Sequence, residues 1–76
     1  MVSQLSFYMN KFAERLVEVL SFKGIAQVEL SRRLEVGQAT VNAWCTGTHE
    51  PNFDMLVRIC RELDESADYL LGLKDE

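Results

Sequence analysis

Two short stretches of helical periodicity, separated by a break of only three residues, constrain this chain more than any other feature. Gln27 to Leu34 sets Leu30 and Leu34 four residues apart, on one face of a helix. Gln38 to Thr46 sets Val41 and Trp44 three apart, again on one face. Between them lies Glu35-Val36-Gly37, whose Val36 is expected to plug the junction from the inside. Together these apolar positions hold two short helices at a steep angle. The outward residues of the second are then free to enter a groove.

The rest of the chain supplies a frame of the same kind. Phe12, Leu16, Val19 and Leu20 recur at helical spacing between Asn10 and Lys23, with Asn10 as a cap and Gly24 as a stop. Leu56, Ile59, Cys60 and Leu63 mark a fourth helix that starts at Asn52 or Phe53. Ser66 caps a fifth, running through Ala67, Leu70 and Leu71 until Gly72 ends it. No segment alternates with period two, so an all-α fold of five helices is expected, with no sheet. The organisation is one domain over residues 1–76, its core spanning about 8–72, because a chain of 76 residues supports one hydrophobic core.

Composition narrows the function classes. No apolar run approaches the ~20 residues that span a bilayer, and the first ten residues lack the basic start and apolar centre of a signal peptide. A cytoplasmic protein with no membrane partner is expected. Cys45 and Cys60 are too few, and too far from any histidine cluster, for a zinc site, so both read as reduced, core or near-core thiols. His49 has no cysteine or carboxylate partner at nucleophile or metal spacing, and no glycine-rich phosphate loop is present. The expectation is therefore no enzyme, no metal, no cofactor and no small-molecule ligand. The formal net charge of −4 argues against nucleic acid when taken alone. Its distribution does not, because residues 10–49 carry five basic side chains against four acidic ones, whereas residues 50–76 carry three against eight. Solvated helix faces and a functional polarity both account for this asymmetry.

Two helices around a short turn, with apolar residues at fixed offsets, are the sequence form of a helix-turn-helix. Lys23-Gly24-Ile25-Ala26-Gln27, Glu29-Leu30, Leu34, Val36, Thr40-Val41, Trp44, Gly47 and Pro51 resemble the Cro/C1-type (XRE-like) family of phage and bacterial transcriptional regulators. The ending Ser66-Ala67-Asp68-Tyr69-Leu70-Leu71-Gly72 is similar to the last helix of that family, so the resemblance covers about residues 12–72. It implies a five-helix lambda-repressor-like domain with the helix-turn-helix at helices two and three. It also implies sequence-specific binding of double-stranded DNA, most often as a repressor and as a homodimer on an inverted repeat.

Three departures from the family pattern bear on structure. Glu35 stands where the family has Gly in the turn, which implies a left-handed residue at a cost of ~1–2 kcal/mol. Gly37 stands where it has a Ser or Thr cap, so a hydroxyl is lost from the start of the recognition helix. Leu20 and Cys45 stand where the family often places an Arg and a Glu, and are expected to replace a buried ion pair by an apolar contact.

Site residues follow from the resemblance. Gln38, Ala39, Asn42 and Ala43 are implied to face base edges, since Gln and Asn can bond both adenine edge atoms and Ala can touch a thymine methyl. Gln27 is implied to meet a phosphate at the start of helix two. Thr46, Thr48 and His49 are implied to follow the backbone, and Thr40 reaches either phosphate or core. Of Arg32 and Arg33, at most one approaches phosphate; Arg33 is taken as that one. Tyr69 and Leu73 either form the dimer contact or cap the core under helix one. The rival to a DNA-binding regulator is an antitoxin or anti-repressor, a protein-interaction module on the same scaffold.

Overall fold

The computed structural model describes residues 11–75, and within them five helices and no strand. They are α1 (Lys11–Lys23), α2 (Gln27–Leu34), α3 (Gln38–Thr46), α4 (Phe53–Leu63) and α5 (Ala67–Leu70). Asn10, expected as the first cap, and the expected start of the core near residue 8 lie outside the described residues.

One core holds the helices together. Phe12, Leu16, Val19 and Leu20 of α1 meet Leu30 and Leu34 of α2, Val41 and Trp44 of α3, Ile59 and Leu63 of α4, and Leu70 of α5. These are the periodic positions of the sequence, and their spacing gives each helix one apolar stripe to bury. Helix α3 packs on both α1 and α2, so the second short helix is gripped from two sides. Helix α4 closes over α2, and α5 joins α4 to α1. Leu56 and Cys60 lie at the edge of this core, half-buried, as does Val36 in the turn. Leu20 is buried and Cys45 half-buried against the same cluster, so an apolar environment stands at both of these positions. Burial pushes the Cys45 thiol up, toward the unreactive neutral form.

The turns close by backbone chemistry. Glu35 is left-handed, at φ 59° and ψ 44°, as the missing glycine implied. Its strained conformation lets the Val36 amide donate to the Ser31 carbonyl at 3.0 Å, which satisfies an otherwise orphaned end of α2. Asp64 ends α4 in the same way, at φ 51°. Gly47 ends α3 at φ 81°, where a Cβ would be disfavoured. Helix α5 stops at Leu70, one residue before the expected Leu71, and the Leu71 side chain is exposed.

Three polar anchors join residues far apart in sequence. Arg58 donates from Nη2 to the Leu34 carbonyl at 2.8 Å, capping the last turn of α2 from α4. Arg15 donates from Nη1 to the carbonyls of Tyr69 and Lys74, each at 2.8 Å, and its guanidinium lies 4.1 Å from the Tyr69 ring centroid. The Tyr69 hydroxyl donates to Glu18 Oε1. Helix α5 and the residues after it are thus strapped to α1.

Candidate nucleic-acid interface

Helix α3 is anchored by its inner side and free on its outer one. Val41 and Trp44 are buried, whereas Gln38, Ala39, Thr40 and Asn42 are exposed and Ala43 is half-buried. Gln38 and Asn42 form one row four residues apart, and Ala39 and Ala43 form the row beside it. Thr40, for which phosphate and core were both open, faces solvent and takes no place in the core. Trp44, a platform for ligand stacking in other contexts, is core here, only 4% exposed.

Helix α3 carries no charged side chain at all, in its first turn, its last or between. Its hydrogen-bonding capacity comes from two carboxamides and two hydroxyls. The helix begins at Gly37 with no side-chain cap bond, and α2 begins at Ala26 likewise. Both N-termini therefore leave backbone N–H groups to outside partners, with the partial positive charge that helix starts carry. Gln27 stands at the first position of α2, half-buried.

Past α3, the loop turns back along the same side. The Thr48 amide donates to the Ala43 carbonyl at 2.9 Å, and the His49 amide to the same carbonyl at 3.3 Å. Thr46 and Thr48 share a hydroxyl–hydroxyl bond of 2.9 Å at the surface. An open cleft of about 470 Å³ results, lined by Ala39, Thr40, Ala43 and Trp44 on one side and by His49 and Glu50 on the other. The structure thus gathers Ala39, Thr40, Ala43 and His49 into one concavity. Glu50, its remaining charged wall, had no signal in the sequence, because its position follows from how the loop folds back.

Arg33 is less free than its place in the sequence implied. Its Nη2 lies 2.8 Å from Glu29 Oε2, one turn earlier on α2, in an exposed ion pair. Arg32 is exposed and enters no ion pair among the described residues. Tyr69 and Leu73 lie at α5 and beyond it, apart from the cleft; Tyr69 is half-buried against Arg15 and Glu18, whereas Leu73 is 73% exposed.

A helix-turn-helix family model matches residues 23–70, which takes in α2, the turn, α3, α4 and α5. The chain belongs to the Cro/C1-type helix-turn-helix family. It is a DNA-binding transcription regulator of the XRE type, and α2 and α3 are its helix-turn-helix. Neither the curated proteins nor the solved structures compared with this regulator gave a match. None of its helices among the described residues is long and apolar enough to cross a membrane.

Proposed function

We propose that this regulator is a sequence-specific repressor that binds an inverted-repeat operator as a homodimer. Each protomer lays α3 in a major groove, about 12 Å wide, and occupies a site that RNA polymerase would use. The observation that carries this reading is the outward row of α3. Gln38 and Asn42 are held exposed on a helix whose inner side is fixed by buried Val41 and Trp44, so they meet base edges without prior ordering of the backbone. Ala39 and Ala43 approach the same edges.

Backbone contacts fall to Gln27, Thr40, Thr46, Thr48 and His49, with Arg33 available once it leaves Glu29. They position the protein without reading sequence. The dimer contact forms at Leu73, supported by exposed Leu71 and by Tyr69, and sets two copies of α3 about 34 Å apart, one turn of DNA. Asp64, Glu65, Asp68 and Asp75 then lie away from phosphate, so a net charge of −4 need not prevent DNA binding.

Titration against a selected operator and against random duplex tests the reading. Gln38→Ala or Asn42→Ala should cost ~1–3 kcal/mol on the operator and relax discrimination at one position, with little change on random DNA. Equal losses on both would assign these residues to the backbone. No preference for any duplex would favour the protein-interaction role on this scaffold. In sedimentation, the parent should dimerise at tens of micromolar and Leu73→Asp should not; a monomeric parent that binds operator as well as Leu73→Asp does would refute the dimer contact.

A further inference from the structure

The chemistry of α3 also says which base pairs it can read, on the footing that α3 enters the major groove as proposed above. Guanine presents two acceptors in that groove and is read by Arg or Lys; cytosine presents an amino donor and is read by Asp or Glu. Helix α3 carries none of these four residue types. Its exposed carboxamides, Gln38 and Asn42, each set an NH2 donor beside a carbonyl acceptor. That is the complement of the adenine edge, an N7 acceptor beside an N6 amino donor.

The neighbouring row points to the other half of the same base pair. Ala39 and Ala43 put methyl groups along one wall of the cleft shared with Thr40, Trp44, His49 and Glu50. No Lys or Arg lines that cleft. A neutral group with an apolar tip fits both facts. In the major groove only thymine carries one, its C5 methyl.

We infer that the base pairs read by α3 are A·T pairs, with adenine edges bonded by Gln38 and Asn42 and thymine methyl groups seated against Ala39 and Ala43. The two rows support one another, because each adenine brings a thymine as its partner. Guanine has no Arg or Lys reader on this helix, so a G·C pair at these positions leaves the carboxamide carbonyl facing acceptors in a desolvated groove. The discrimination expected is roughly 5- to 150-fold per bidentate contact.

Selection of bound sites from a random duplex library with the full chain tests this, followed by titration of the winning site with single thymines replaced by deoxyuridine. A·T pairs should dominate the positions under α3, and loss of one thymine methyl should weaken binding about fourfold there, the worth of one buried methyl group. Asn42→Ala should abolish the preference at one of those pairs. In Ala39→Gly, checked for helicity by circular dichroism, the deoxyuridine penalty should vanish at one position. A winning site with guanine under α3, or deoxyuridine that binds as well as thymine at every position, would overturn the inference. A library that enriches no sequence would remove sequence-specific binding itself, and this inference with it, which a guanine-containing winner would not do.

Discussion

Helices α2 and α3 differ from α4 and α5 in how they begin. All four are entered from an extended residue, but the first pair starts at Ala26 and Gly37 with no side-chain cap, whereas Asn52 and Ser66 cap the second pair. Asn52 Oδ1 accepts from the Met55 amide at 2.8 Å, and Ser66 Oγ from the Tyr69 amide at 3.1 Å. The rear pair satisfies its own helix starts. The front pair leaves its N–H groups to solvent or to a phosphate oxygen, and so gives up local stability where the function needs a surface. Charge is unevenly spread as well: α3 has none, and eight of the twelve acidic residues fall in residues 50–76.

The first test of this comparison asks whether α3, weak in its own right, is held by its core side. Trp44→Ala should lower stability by ~3–5 kcal/mol in urea unfolding, the usual effect of removing a large buried aromatic. A loss under ~1 kcal/mol would mean that α3 stands without its anchor, and the comparison would fail.

The second asks whether the two kinds of helix start differ in energy. Asn52→Ala should cost about 1 kcal/mol and leave operator affinity unchanged, while Ala26→Ser should stabilise by a similar amount. If Ala26→Ser leaves the urea midpoint where it was, the start of α2 is already satisfied by a partner other than a side chain. The turns sharpen the point further. Glu35→Gly should raise stability by up to about 1 kcal/mol by removing left-handed strain, and Asp64→Gly by less, since Asp tolerates that conformation better.

The smallest effect concerns the strap between α1 and α5. Donation of the Tyr69 hydroxyl to Glu18, aided by burial and by the Glu18 charge, raises its pKa above the ordinary value near 10. A raised tyrosine pKa means that the contact is intact below the ordinary value and is lost as pH rises through the folded one. Ultraviolet titration should therefore show one late-ionising phenol, absent in Tyr69→Phe. The absence of any phenol that ionises above the ordinary value would show that the strap is loose.

The periodicity of Phe12 to Leu20, of Leu30 and Leu34, of Val41 and Trp44 and of Leu56 to Leu63, with the break at residues 35–37 and the cap at Ser66, determined the five helices of the described residues and the buried side of the first four. Those signals are local: they depend on residues three or four apart and on backbone groups within one turn. The left-handed Glu35 was legible only through the family resemblance, because it stands where that pattern has Gly. The tertiary structure alone decided the rest. Arg58 on the Leu34 carbonyl and Arg15 on the carbonyls of Tyr69 and Lys74 join residues 24 to 59 positions apart, and an arginine on a helix surface carries no local mark of its partner. Ser31, buried with its hydroxyl on the Val28 carbonyl, looks in sequence like any surface serine. The cleft beside Ala39 and Ala43 exists because the loop after Gly47 folds back to bring His49 and Glu50 opposite α3. Periodicity tells each helix which side to bury, but which charged group arrives from another helix is set only when the core has closed.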